Sequence, residues 1–494
     1  MGGDADHDDG SPWASGFGRR GLGSRDARLV ERAFFLAELT ARRAETLAMV
    51  PSRPMPDLSE RRFAGRNPSI PRLCAMSGGP QLPGIPPTAI SSAATPAYDD
   101  GRLCTGNPPM SLPSLKQQFA ELIALPSVSC TQAALDLPNR PLIERLADWL
   151  DELGFACEIR EVAPGKCNLL ASYGSGPGGL VLSGHSDTVP FDAALWTSDP
   201  LALREADGRW YGLGSCDMKG FFPLAIEALR PLLDRPFRQP LLILATCDEE
   251  SSMAGARALA AAGRPLGRAA LIGEPTGLRP IRLHKGVMME RIDILGKSGH
   301  SSDPSLGNSA LEAMHEAIGA LLELRGQWQS EFRNPLFDVP QPTLNLGCIH
   351  GGDNPNRICG QCALEFDLRP LPGMDPQQLR AAIRGKLQPL AERRGVRIDY
   401  APLFPGLPPF EQAAGSELVR LAERLTGHRA EAVAFGTEAP YLQQLGCETI
   451  VLGPGDIACA HQPDEYLELA RIEPTVQLLR QLIGHYCLAP APIP

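Results

Sequence analysis

From about residue 111 onward the sequence predicts an α/β protein, a catalytic sheet domain into which a ferredoxin-like domain is inserted. Three observations predict it. Short apolar runs of buried-strand length alternate with segments of helical periodicity. Between about 287 and 397 that alternation gives way to the order β-α-β-β-α-β, the pattern of a ferredoxin-like unit. Runs of the first kind then resume, so the catalytic domain is expected over 111–286 and 398–494, interrupted by the insert at 287–397.

Residues 1–110 stand apart. Pro and Gly cluster in Gly78-Gly79-Pro80 and Pro83-Gly84-Ile85-Pro86-Pro87, and only residues 27–50 have a helical apolar pattern. So little apolar surface cannot offset backbone ordering entropy, so a disordered extension is expected there, with Met110 as an expected alternative start. Next come predicted helices over 115–125 and 141–153 and strands over 157–162 and 169–173. The apolar run 179–182 ends at Ser183-Gly184-His185, and Arg209-Trp210-Tyr211 leads through a glycine-containing loop into a helix over 220–233. Continuous apolar runs at 241–245, 269–272 and 449–452 have the length and content of strands buried on both faces. In the insert, a strand over 288–295 precedes a helix over 308–332, in which Leu311, Met314, Ile318 and Leu321 recur at three- and four-residue steps. Strands over 343–349 and 358–368, a helix over 376–394 and a strand over 396–400 complete it.

Composition excludes several classes of function. The chain has 494 residues, 43% apolar and 21% charged, an ordinary globular balance. Its 47 Lys and Arg against 57 Asp and Glu leave a net charge of -10 with no basic block, which argues against nucleic-acid binding. No apolar run approaches the roughly 18 residues of a membrane span. The N-terminus opens on Asp4, Asp6, Asp8 and Asp9 rather than on a basic and then apolar leader, so neither a membrane anchor nor a secretory signal is expected. Thirteen irregularly spaced cysteines point to a reducing cytoplasm rather than a disulfide framework.

Five residues suited to binding metal fall just after predicted strands or at a helix start: His185, Asp217, Glu250, Glu274 and His461. Singly, each reads as a packed histidine or a solvated loop carboxylate. Together they sit where open α/β sheets bind ligands, beyond the carboxyl ends of the strands. Two imidazoles and three carboxylates suit Zn²⁺ or Co²⁺, and their charge partly neutralises two divalent ions held close together. In extended His185-Ser186-Asp187, residues i and i+2 face the same way, so the Asp187 carboxylate is expected to accept a hydrogen bond from the second ring nitrogen of His185. Glu249 and Glu250 are neighbours whose side chains diverge; one can hold metal while the other, Glu249, serves as general base.

These residues carry a resemblance. The segments Ser183-Gly184-His185-Ser186-Asp187-Thr188-Val189-Pro190, Gly212-Leu213-Gly214-Ser215-Cys216-Asp217-Met218-Lys219-Gly220, Asp248-Glu249-Glu250, Gly273-Glu274-Pro275-Thr276 and Ala460-His461-Gln462-Pro463-Asp464-Glu465 resemble the dinuclear metallopeptidase family that includes carboxypeptidase G, aminoacylase and succinyl-diaminopimelate desuccinylase. The likeness spans about 111–487. Within the family, His284-Lys285-Gly286, Ser298-Gly299-His300-Ser301-Ser302-Asp303-Pro304, Asn356-Arg357-Ile358-Cys359, Arg369-Pro370-Leu371-Pro372-Gly373 and Thr437-Glu438-Ala439-Pro440 are most similar to the members that hydrolyse N2-acetyl-L-ornithine.

The resemblance implies a metallopeptidase-like fold and a small-molecule N-acyl amino acid substrate. It implies two divalent metal ions bridged by Asp217, with His185 and Glu274 on one and Glu250 and His461 on the other. It further implies a homodimer formed through the insert, in which His300 reaches the partner subunit's site to stabilise the oxyanion. A guanidinium fork suits a carboxylate, so Arg357, helped by Asn356, is a candidate for the substrate α-carboxylate, and Glu438 for its δ-ammonium or for support of the metal cluster. Cys359-Gly360-Gln361-Cys362 is a formal C-x-x-C, but residues i and i+3 of a strand face opposite ways, which makes structural cysteines the better reading. The alternatives are a relative acting on succinyl-diaminopimelate or a dipeptide, and a non-catalytic homologue; the latter would be free to lose Glu249 or a ligand, and none is missing.

Overall fold

The computed structural model describes residues 112–488; the extension expected over 1–110 lies outside them. The strands, in chain order, are β1 (Ala156–Ala163), β2 (Lys166–Tyr173), β3 (Leu180–His185), β4 (Arg204–Ala206), β5 (Arg209–Tyr211), β6 (Leu241–Thr246), β7 (Ala269–Ile272), β8 (Ile281–His284), β9 (Met288–Leu295), β10 (Thr343–Gly351), β11 (Gln361–Arg369), β12 (Arg397–Pro402), β13 (Phe410–Glu411), β14 (Glu431–Val433), β15 (Glu448–Val451) and β16 (Tyr466–Glu468). They form a nine-stranded sheet of order β1-β2-β6-β3-β7-β15-β8-β13 with β14 beside β8, a four-stranded sheet β10-β11-β9-β12, and a three-stranded sheet β16-β5-β4.

The centre of the large sheet is parallel, β6 with β3, β3 with β7 and β7 with β15. Every residue of β3, β6 and β7 is buried, as continuous apolar runs require. Apolar layers cover both faces. One contains Phe119, Leu146 and Phe222 with Leu479 and Leu482 of the helix Ile472–Cys487, the other Val181, Leu244 and Ile272 with Leu442 of the helix Ala439–Gln444. Side chains at the carboxyl ends of the parallel strands therefore converge on one edge of a rigid platform. Two glycines bring loops against it. A Cβ on Gly184 would lie 2.6 Å from Met218 Cε, and one on Gly453 would lie 2.1 Å from the Gly273 carbonyl, so these positions let the Asp217 and Glu274 segments pack directly on their neighbours.

The four-stranded sheet packs on the helices Ala310–Glu331 and Pro376–Arg394, giving the sequence order β-α-β-β-α-β around its own apolar core. Ser309 and Asp375 cap the two helices, and Gly395, at φ 62°, takes the left-handed conformation that ends the second. The two chain passages joining this unit to the large sheet lie side by side, Val287 and Leu407 exchanging N–H to carbonyl bonds of 2.9 and 2.8 Å.

Three expectations need correction in detail. The buried stripe of Ala310–Glu331 is Ala310, Ala313, Met314, Ala317, Leu321, Leu324 and Trp328, whereas Leu311 is 49% exposed. Alanines carry the close helix–sheet approach, and the stripe turns away from the leucine that the periodicity favoured. β11 starts at Gln361 rather than 358, because Ile358 donates to the Gly299 carbonyl (2.9 Å) and the Cys359 carbonyl accepts from Ala310 (2.8 Å), which ties this stretch to the 299–310 turn. The helix expected over 220–233 runs over Phe221–Leu229 and ends in a 3₁₀ turn at Arg230–Leu232, where Pro231 has no N–H to continue it.

Candidate active site

His185 is the last residue of β3 and is fully buried. Its Nδ1–H donates to the main-chain carbonyl of Asp187 at 3.0 Å, while the Asp187 carboxylate is 3.9 Å away. The expected carboxylate contact is thus replaced by a carbonyl contact. The reason lies in the next loop, where Asp187 Oδ2 accepts the Glu250 N–H at 3.1 Å and is drawn away from the ring. The consequence for His185 is the same, because a proton on Nδ1 leaves the Nε2 lone pair free. That nitrogen lies 3.0 Å from Asp217 Oδ1 and 3.8 Å from Glu274 Oε2.

The other oxygen of Asp217 faces a second imidazole. His461 Nε2 is 3.5 Å from Asp217 Oδ2 and 3.0 Å from Glu250 Oε1. Ligand atoms of His185, Asp217 and Glu250 lie within 4.8 Å of one another, and so do those of His185, Glu249 and Glu274. One carboxylate therefore stands between two histidines, each with a further glutamate, and Glu249 stands on the His185 and Glu274 side.

Electrostatics agree with a cation requirement. Burial, then the Glu274 carboxylate, pushes Glu249 well above the usual carboxylate range, and burial followed by Asp217 does the same to Glu274. Burial raises Asp187 to about 6. Burial opposes ionisation of Asp217 as well, but hydrogen bonds from His185 and His461 hold it far below its ordinary value. Carboxylates that raise one another in this way experience the repulsion that dications remove, and the donor set of two imidazoles with carboxylates fits divalent metal ions. Burial keeps the neighbouring Cys216 and Cys247 thiols protonated, which leaves them as packing residues. Cys362 is buried in β11, and Cys359 donates to the Gln361 carbonyl at 3.1 Å.

The turn that carries Glu249 and Glu250 rests on residues to which sequence reading gave no role. Asp248, in the left-handed region at φ 57°, pairs with Lys166 Nζ at 2.8 Å and accepts from Ser129 Oγ at 3.0 Å. Lys166, whose side chain is 6% exposed, also pairs with Asp136 at 2.7 Å. In sequence Lys166 is an ordinary strand-entry lysine, and nothing in its neighbourhood announces a buried pair. Lys166→Met leaves the Asp248 carboxylate without its cation, and a loss of about 3 kcal/mol in denaturant unfolding, with lowered kcat, is the expected outcome.

A second group of expected site residues lies on the insert. His300 and Arg357 pair through their backbones, and the Ser301 N–H donates to the Asn356 carbonyl at 3.0 Å. The Ser302 hydroxyl (2.7 Å) and N–H (3.2 Å) both lie against His300 Nδ1, on an exposed turn. Arg357 makes an exposed ion pair with Asp353 at 2.7 Å and lines a groove of about 760 Å³ together with Ser301, Asn354 and Ile358. That groove is on the insert and contains none of the five candidate ligands. Among the described residues, no side-chain hydrogen bond or ion pair joins this group to the carboxylate cluster. Glu438, by contrast, lies with the cluster. It is 1% exposed, and burial raises it to about 7 against the opposing effect of the neighbouring Thr246 hydroxyl.

Residues 181–485 match the family described as peptidase family M20/M25/M40. The chain is 48% identical over 382 residues to an acetylornithine deacetylase of Photorhabdus laumondii subsp. laumondii, an alignment covering 77% of this chain and 99% of that protein. It is 51% identical over 378 residues to one of Edwardsiella ictaluri, covering 76% and 98%. Among solved structures, aminopeptidase PepT from Bacillus cereus superposes with a TM-score of 0.60 at 20% identity, covering 75% of this chain and 98% of that one. The Bacillus subtilis YXEP protein, a dinuclear metal binding peptidase, gives 0.53 at 18%, covering 75% and 96%.

Proposed function

The chain belongs to peptidase family M20/M25/M40, and from that premise we propose that it hydrolyses N2-acetyl-L-ornithine to L-ornithine and acetate, a step of arginine biosynthesis. The observation that carries the chemistry is Asp217, whose two oxygens face His185 and His461 separately with Glu249 alongside. The choice of substrate rests on the near-complete alignment with two acetylornithine deacetylases at about half identity.

Two divalent ions, zinc or cobalt, held by His185, Asp217 and Glu274 and by Asp217, Glu250 and His461, would supply the Lewis acid that acidifies a water molecule and polarises the amide carbonyl. The chain's own residues do the rest. Glu249, buried and not committed to the bridge, takes the proton of the attacking water and passes it to the leaving amine nitrogen. His300, exposed on its turn with Nδ1 engaged by Ser302, would donate from Nε2 to the developing oxyanion. Arg357 can exchange its exposed Asp353 partner for the substrate α-carboxylate, since such surface pairs contribute little, and Asn356 lies beside it. The enclosed position of Glu438 favours support of the cluster over contact with a substrate ammonium.

For His300 to serve, we assign a homodimer built through the insert. The edge strand β10 exposes Ile349, and the helix Ala310–Glu331 exposes Leu311 and Leu322, which gives apolar surface for a second copy. No helix among the described residues is long and apolar enough to cross a membrane, and the described cysteines are free thiols, which supports a cytoplasmic location.

Metal analysis and a panel of N-acyl amino acids test this reading. The expected result is two ions per chain and the highest kcat/KM for N2-acetyl-L-ornithine, with Arg357→Ala raising KM by about tenfold or more through loss of a charge-assisted pair. A much higher kcat/KM for a succinylated substrate or a dipeptide would overturn the substrate assignment.

A further inference from the structure

Glu465 follows His461 by four residues and is 2% exposed, yet among the described residues no ion pair is made to it; the buried Lys219 ammonium acts on it only from further off. Its carboxylate is instead filled by backbone. Oε1 accepts the N–H groups of Cys216 (2.8 Å) and Asp217 (2.9 Å), and Oε2 accepts that of Gly214 (3.0 Å). The Glu465 carbonyl accepts a fourth, from Gly212, at 3.0 Å, and Tyr466 pairs with Tyr211 in the β16–β5 ladder. The loop 212–217 is thus wrapped around one side chain. Gly214, at φ 82°, supplies the left-handed turn this needs, and a Cβ there would lie 2.8 Å from Lys219 Cδ. The same segment is anchored on its other side, where Asp464 Oδ1 accepts the Thr197 N–H and hydroxyl, both at 2.9 Å.

A short stretch, 461–466, therefore holds the His461 imidazole beside one half of the cluster and the backbone of Asp217 between the two halves. We propose that Glu465 is the positioning residue that sets the bridging carboxylate of Asp217, so that a side chain touching neither ion controls the affinity for both. The inference rests on the two-ion reading given above. Three N–H bonds that converge on one side chain fix a loop more tightly than a single contact does. In Glu465→Gln one acceptor oxygen becomes an NH₂ group directed at a backbone N–H, so the loop must shift although the shape is kept.

The test titrates metal-free wild type, Glu465→Gln and His461→Ala with Co²⁺, read by equilibrium dialysis and by the visible absorption of the bound ion, alongside thermal unfolding of each metal-free protein. In His461→Ala one ion is expected to bind near its native affinity and the other to be lost. In Glu465→Gln both are expected to weaken, by about 10- to 100-fold, the range for removing an outer partner of a ligand. Unchanged affinities, or weakening of a single ion as in His461→Ala, would overturn the proposal while leaving the two-ion reading intact. Wild type that takes up fewer than two ions would sink that reading and this inference with it. Should metal-free Glu465→Gln fail to unfold cooperatively, Glu465→Asp takes its place in the titration. If neither is folded without metal, Glu465 is a folding residue and the assignment is wrong.

Discussion

Glu249→Gln is expected to lower kcat by about 10²- to 10⁴-fold, the range for loss of a general base, while the enzyme still takes up both ions. The neutral amide has the shape of the carboxylate but can neither remove the proton of the attacking water nor return it to the amine. The environment of Glu249 suits a group that both gains and gives up a proton. Burial and the neighbouring Glu274 raise it well above an ordinary carboxyl, and His185 opposes that rise. The metal measurement gives the prediction its edge. Glu249 lies in one compact group with His185 and Glu274, so a role as a ligand is the competing reading, and it predicts that Gln at 249 strips one ion. Full metal content with turnover near wild type would exclude both roles.

What could be read from the sequence, and what could not, follows the range of the interactions. β3, β6, β7 and the helix Pro376–Arg394 were legible because continuous apolar runs and strong terminal signals act locally. The five candidate ligands were legible because they lie in loops that leave elements with legible ends, and the sheet brings such loops together. Contacts decided by a third segment were not. The Asp187 carboxylate turns from His185 to the Glu250 N–H, a partner 63 residues away. Lys166 closes on Asp248 across the sheet, and Glu465 reaches back about 250 residues to cradle Asp217. Glu465 did leave a trace, since it ends the segment that begins at Ala460 and includes His461, but a motif gives no direction to a side chain. The outward turn of Leu311 was hidden for another reason, because alanines at 310, 313 and 317 pack as well as leucine where a helix lies close to a sheet.

His300→Ala is expected to reduce kcat by about 10²- to 10³-fold, the cost of one oxyanion donor, with metal content unchanged. The geometry supports a donor rather than a base. The Ser302 hydroxyl and N–H engage Nδ1, which leaves Nε2 as the ring nitrogen that can donate to a substrate oxygen from this exposed turn on the insert. Among the described residues, nothing links this turn to the cluster of its own chain by a side-chain hydrogen bond or ion pair, and the proposed homodimer would bring it to the partner subunit's site. The expectation separates from a purely local role by mixing. Glu249→Gln and His300→Ala subunits are each expected to be nearly inactive alone, but in the proposed homodimer a heterodimer with exchanged histidines would have one site containing both groups. If equal amounts pair at random, half of the dimers are mixed and each has one competent site of two, so activity should recover to about a quarter of wild type. Recovery at that level, appearing with the time course of subunit exchange, is the expected result. No recovery after exchange has been verified by tagged pull-down would mean that His300 serves its own chain, and the insert would then have to bring its turn onto the site without a partner.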